Sequence, residues 1–277
     1  IAGWFKLDFI DRALQPGELC KISIIVTLSK YVGDCMDKEG KFRGLGYIIK
    51  TTMYCAVPTV LVMMQPDFGT AFVFICIMVF IYFIGRISWG YILTAAGGLA
   101  VCMPLAYYFV LSDSQRERID VFINPESDLQ NSGYNVAQSK IAIGSGQLTG
   151  KGFFSEGTLA QLRFVPERHT DFIFAGIVEG LGFVGGTIII CLFFALIFRW
   201  IYIAMRTKDS FGTCLVVGVA GMFTAHVFEN IGMTIGLMPV TGIPLPFISY
   251  GGSNLLTNLI GVGIVENVWM RRQSKKR

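Results

Sequence analysis

Seven apolar runs, at 17–32, 45–64, 68–85, 89–111, 172–198, 212–238 and 247–269, dominate this chain of 277 residues. A helix needs about 17–25 apolar residues to cross the hydrocarbon core of a bilayer, so the runs predict an all-α, polytopic helical membrane protein. The run at 17–32 is marginal in length and the run at 172–198 is generous. Gly180, Gly182, Gly185 and Gly186 in the latter predict a bent or partly re-entrant helix. Composition agrees: 53% of residues are hydrophobic and 15% charged, where soluble chains carry about 25% charged residues. The reading is one integral membrane domain over 1–277, with a large loop at 112–171.

The net charge of +4 matters less than its placement. Basic residues gather at Lys38, Lys41 and Arg43, at Arg199, Arg206 and Lys208, and in the tail at Arg271, Arg272, Lys275, Lys276 and Arg277. With seven spans these segments share one side, which the positive-inside rule makes cytoplasmic. Beside a membrane span the basic tail is a topology signal, and no nucleic-acid partner is expected. The connections 112–171 and 239–246 then lie outside. Parity also places residues 1–16 outside, and nothing in them resembles a signal peptide. The chain starts at Ile1, and the expectation is an upstream part with an odd number of spans. The seven cysteines form no C-x-x-C pair, and those within apolar runs read as small hydrophobes.

Trp4, among charged neighbours ahead of Gln15-Pro16, reads as an interfacial anchor. Glu18 and Lys21 sit at i, i+3 at the start of a span, where an ionisable pair must face protein or a cavity. They are either a structural ion pair or a substrate-facing one. Asp67 reads as a helix cap. His226, Glu229 and Asn230 are polar groups of an apolar helix and should face the bundle.

The densest chemistry lies between Gly133 and Phe174, where Lys140, Lys151, Arg163, Glu167, Arg168 and His169-Thr170-Asp171 precede a new apolar run. A charged, glycine-rich loop between two spans is where chemistry on a membrane-bound substrate is expected. The glycines at 144–152 fit neither a P-loop nor a dinucleotide fingerprint, because Gly144 to Gly150 leaves five residues and Gly152 follows the lysine. Their freed amides beside Lys151 are nonetheless suited to a lipid pyrophosphate. Asp171 reads as a helix cap or as a functional carboxylate at the membrane boundary.

Five ordered motifs carry a resemblance over essentially the whole chain. They are QPDFGTA at 65–71, GYNVAQSKIAIGSG at 133–146, GKGF at 150–153, PERHTDFIF at 166–174 and PLPFISYGGS at 244–253. The chain resembles the SEDS proteins of bacterial shape, elongation, division and sporulation, and its PERHTDFIF is closer to the elongation branch. The resemblance implies ten spans in the family, so that this chain lacks the first three. It implies a peptidoglycan glycosyltransferase that polymerises lipid II outside the cytoplasmic membrane, in company with a class B penicillin-binding protein. It assigns the essential acid of HTDF to Asp171, the expected base, and matches Trp4 to the family's tryptophan after the third span. The pyrophosphate leaving group then needs Lys140, Lys151, Arg168 or a divalent cation such as Mg or Mn to compensate its charge. A rival reading, a lipid II flippase or transporter, would use the intramembrane Glu18, Glu179, His226 and Glu229 as a polar path. A scaffold that only docks its partner leaves the charged loop unexplained.

Overall fold

A computed structural model describes residues 5–7, 12–40, 42, 44–109, 113–123, 132–152 and 169–271. It is helical apart from one ribbon: β1 (Phe5–Leu7) pairs antiparallel with β2 (Arg12–Leu14). The helices are α1 (Pro16–Glu39), α2 (Leu45–Met63), α3 (Phe68–Ile84), α4 (Trp89–Phe109), α5 (Asp113–Ile123), α6 (Ser132–Ser145), α7 (Ile173–Arg206), α8 (Ser210–Thr234) and α9 (Gly252–Arg271). Each apolar run thus holds one long helix. Among the described residues, α2, α7 and α8 are long and apolar enough to cross a membrane by themselves, and α3 is a shorter apolar helix. The exposed Met53, Val57, Val60 and Leu61 of α2 suit contact with lipid.

The helix ends follow local chemistry. Pro16 opens α1, where its missing N–H costs nothing, and the left-handed Gly40 closes it by donating to the Met36 carbonyl. Asp67 caps α3 as expected: Oδ1 accepts from Thr70 N at 3.0 Å and Oδ2 from Thr70 Oγ1 at 2.9 Å. The run at 172–198 extends to Arg206, beyond its expected end. The run at 247–269 becomes helical only at Gly252: Phe247 sits at φ +62° and Tyr250 N donates to His169 O, outside any helical ladder. Within the loop at 112–171, α5 and α6 are helices.

The chain divides into two compact units. One comprises Ile1–Ala95, Leu196–Ala225 and Gly251–Arg277; the other comprises Ala96–Ala195 and His226–Tyr250. In the first, α1 packs against α2, α3 and α9. Its core includes Ile25, Leu28 and Val32 of α1 with Phe74, Ile77 and Ile81 of α3, all buried. Trp200 meets Phe223 edge-on at 4.7 Å between centroids. Gln15 ties three helix starts together: its N–H donates to Ser253 Oγ (3.2 Å) and its Nε2 to Asp67 Oδ2 (3.0 Å). In the second unit, Phe174, Val178, Phe193 and Leu245 form a buried cluster, with Ile143, Val227 and Ile231 packed around it.

Candidate active site

Asp171 lies two residues ahead of α7, in the unit formed by 96–195 and 226–250. The segment carrying it is fastened by its backbone to parts of the chain distant in sequence. The Asp171 carbonyl accepts from Asn230 Nδ2 at 2.9 Å, and the same amide nitrogen donates to the Ile243 carbonyl at 2.7 Å. The Thr170 carbonyl accepts from Ser249 Oγ at 2.6 Å, and the His169 carbonyl accepts from Tyr250 N at 3.0 Å. Ser249 Oγ also accepts from Leu245 N (2.8 Å), and His226 Nδ1 stands 3.1 Å from the Pro244 carbonyl. Three consecutive residues, His169 to Asp171, are therefore held by α8 and by the loop that follows it.

The carboxylate of Asp171 is half-buried and faces Gly242, whose φ is +77°. A Cβ on Gly242 would stand 3.2 Å from Asp171 Oδ2, so glycine serves both the left-handed turn and the room beside the acid. Lys140 occupies a matching position. Its ammonium end lies against Gly236, also at φ +77°, where any Cβ would collide with it. Ser139 beside it donates to the Thr234 carbonyl at 2.7 Å. Since Asn230 and Thr234 are one turn apart, α8 holds the Asp171 carbonyl and the Ser139 hydroxyl on successive turns. Val136, Phe172 and Val240 pack together beneath them. Lys140 is exposed.

Lys151 is placed differently. Its ammonium meets Glu179 Oε1 at 3.4 Å, and Ser145 Oγ lies 3.5 Å from the same oxygen. Glu179 is 1% exposed, so Lys151 is the counter-ion of a buried carboxylate. The backbone around them differs from the expected anion cradle. The bend expected in α7 falls at Gly182 (φ +71°, ψ −172°). It opens two helical hydrogen bonds, and the loop at 147–152 closes all four freed groups. Phe183 N donates to Gln147 O (2.8 Å) and Val184 N to Leu148 O (3.2 Å). In return Lys151 N donates to Glu179 O (3.0 Å) and Gly152 N to Gly180 O (2.9 Å). The amides of Lys151 and Gly152 are thus spent on α7, and that of Gly150 on Gly146 O (2.8 Å). A Cβ on Gly150 would strike the backbone of α7 and one on Gly182 that of the 147–152 loop, so these glycines serve close approach.

Glu18 and Lys21 belong to the other unit and form the expected ion pair, 2.6 Å apart. Their residues are 3% and 1% exposed, and Glu18 Oε2 makes no hydrogen bond among the described residues. That burial favours the structural alternative. Trp4, Arg163, Glu167 and Arg168 lie outside the described residues. Sequence reasoning placed Asn230 on the right helix but set Ser249 at the start of the last span, where the structure has a loop, and it missed the grip of both on 169–171.

The profile of the FtsW, RodA and SpoVE family, described as cell cycle proteins, matches residues 2–274. The chain belongs to this family. The peptidoglycan glycosyltransferase MrdB of Escherichia coli K12 is 39% identical over 271 residues, covering 98% of this chain and 71% of MrdB. Stage V sporulation protein E of Bacillus subtilis is 38% identical over 268 residues, covering 92% of this chain and 68% of that protein. Among solved structures, a peptidoglycan synthase complex that coordinates polymerization and crosslinking includes a chain 29% identical at a TM-score of 0.77. That match covers 99% of this chain and 76% of the other. RodA of Thermus thermophilus is 27% identical at a TM-score of 0.63, with 99% and 71% covered. The family places this SEDS chain among polytopic membrane proteins.

Proposed function

We propose that this chain is a peptidoglycan glycosyltransferase that polymerises lipid II into glycan strands during cell elongation. The observation that carries the reading is the fastening of His169, Thr170 and Asp171 to Asn230, Ser249 and Tyr250. It holds one half-buried carboxylate at the end of the charged loop, against α8 and the loop that follows it. The names and identities of MrdB and the sporulation protein support the reaction class.

In the reaction, the 4-hydroxyl of an acceptor GlcNAc attacks the anomeric carbon of a donor MurNAc. Asp171 takes the hydroxyl proton as the new C–O bond forms, an effect worth about 10²–10⁴-fold. The bond from the anomeric carbon to the undecaprenyl pyrophosphate breaks, and the electron pair leaves with the pyrophosphate. That group is already a good leaving group and needs counter-charge more than a proton. Lys140 supplies it, with Arg168 as the second cation; Lys151 acts through Glu179 by holding the loop against α7. Among the described residues no cluster of three His, Cys, Asp or Glu side chains is arranged to hold a metal ion. A divalent cation such as Mg or Mn, when bound, would add counter-charge at the pyrophosphate.

The protein works in the bacterial cytoplasmic membrane with 112–171 and 239–246 outside, as the clustering of basic residues supports. Its partner is a class B penicillin-binding protein, a reading supported by the synthase complex that it resembles. Incubating the purified protein with lipid II in detergent, where no membrane barrier exists, tests the activity. Glycan strands are the expected product. Transport of lipid II across vesicles with no strand formation in detergent would favour the flippase instead.

A further inference from the structure

At the junction of α7 and α8 the first unit contains a cavity of about 340 Å³, a size typical of small-ligand clefts. Its rim carries Lys208 and Arg271, and its walls include Phe211, Leu215, Val268 and the amide of Asn267. Lys208 and Arg271 are exposed and make no hydrogen bond or ion pair among the described residues. Asp209 is the single acid of the lining, and its carboxylate is turned to the start of α8, accepting from Gly212 N at 3.0 Å. Gly212 lets this helix start approach α9, since a Cβ there would lie 3.2 Å from Val268 Cγ1.

The surroundings fit a membrane–water boundary. The Arg199 guanidinium lies 4.7 Å from the Trp269 ring and 5.5 Å from that of Tyr202, and the Arg206 guanidinium lies 5.2 Å from Tyr202. Aromatic rings and arginines of this kind gather at head-group level. Two exposed cations, an amide donor and an apolar wall at that depth suit one chemistry: a phosphate attached to hydrocarbon. Basic pockets between helices at a membrane face bind anionic head groups for this reason.

We propose that this cavity holds the phosphate of an anionic glycerophospholipid such as phosphatidylglycerol. Lys208 and Arg271 supply the counter-charge, Asn267 a hydrogen bond, and Phe211, Leu215 and Val268 contact the first acyl carbons. The leaflet, the cytoplasmic one, rests on the inside assignment of the basic segments; the site itself does not.

Photolabelling tests the site. The protein in phosphatidylcholine nanodiscs receives a diazirine phosphatidylglycerol or the matching diazirine phosphatidylcholine, and labelled peptides are mapped. Label on the 207–215 and 267–271 peptides from phosphatidylglycerol, well above that from phosphatidylcholine, is the expected result. Neutralising both cations in Lys208→Gln/Arg271→Gln should weaken phosphatidylglycerol binding about thirty-fold, at roughly five-fold per cation. Phosphatidylcholine should be unaffected. Equal labelling by the two lipids, or unchanged affinity in a monodisperse double variant, would overturn the proposal. Displacement by free glycerol phosphate at millimolar concentration would also overturn it, by showing a soluble-phosphate site. If the double variant does not fold, the wild-type labelling pattern decides alone. Nanodiscs present both leaflets, so an error in sidedness leaves every one of these readouts unchanged.

Discussion

Replacing Asn230 with leucine isolates the clamp that holds Asp171. The Asn230 amide is fully buried and its nitrogen donates twice, at 2.9 Å to Asp171 O and 2.7 Å to Ile243 O. Leucine keeps the same branched skeleton, at somewhat greater bulk, but offers no donor, so both carbonyls lose the Asn230 bond. A buried acceptor left unsatisfied costs about 1–3 kcal/mol, which gives about 2–6 kcal/mol for two. Part is recovered, because Asn230 Oδ1 is buried with no hydrogen bond among the described residues and disappears in the variant. The net expectation is a loss of about 3 kcal/mol, concentrated on 169–171 and 243–250 rather than spread over the chain. Because misplacing a reacting group by about 1 Å can cost ~10²-fold, polymerisation should fall further than stability alone explains. Thermal unfolding in detergent, hydrogen exchange of the 243–250 amides and the rate of strand synthesis read these effects separately. An Asn230→Leu protein that melts like wild type, protects those amides and polymerises at the wild-type rate would refute the clamp.

Three further outcomes follow from other contacts. Glu18→Ala or Lys21→Ala strands the other charge of a pair 2.6 Å apart and buried; each should cost about 3–5 kcal/mol, seen as lost expression or a lower melting temperature, whereas wild-type behaviour of both would remove the pair's importance. Gly182→Ala forces a side chain into a left-handed position against the backbone of Leu148 and Gly150, so the amides of Lys151, Gly152, Phe183 and Val184 should exchange together and faster than in wild type; unchanged protection would contradict the inserted loop. For sidedness, an impermeant thiol reagent on intact cells should label Ser155→Cys and spare Ser274→Cys in a cysteine-free background, and the reverse pattern would invert the topology.

Much of this architecture was legible in the sequence because its signals are local. Asp67 announces a cap three residues before the Thr70 amide it holds, and Glu18 and Lys21 announce a pair by their i, i+3 spacing. The glycines of 172–198 announced a bend, and Gly182 supplies it. What the sequence concealed depends on distance along the chain. Asn230 reaches a carbonyl 59 residues away, and the exchange of hydrogen bonds between 147–152 and α7 requires both backbones to be in place. The same glycines that suggested an anion cradle are used for that exchange. The ribbon of β1 and β2 is three residues per strand, too short for alternation to register against the amphipathic pattern around it.

The central claim rests on Asp171 as the base, and one substitution tests it most directly. Asp171→Asn keeps the shape, the backbone bond from Asn230 and most of any capping capacity, since Asn caps about as well as Asp. It removes the ability to accept a proton. The native protein with its transpeptidase partner, supplied with lipid II, should lose about 10²–10⁴-fold in strand synthesis on this change, while folding and lipid II binding stay at wild-type levels. A folded, lipid II-binding Asp171→Asn protein that makes glycan strands at near the wild-type rate would contradict the assignment.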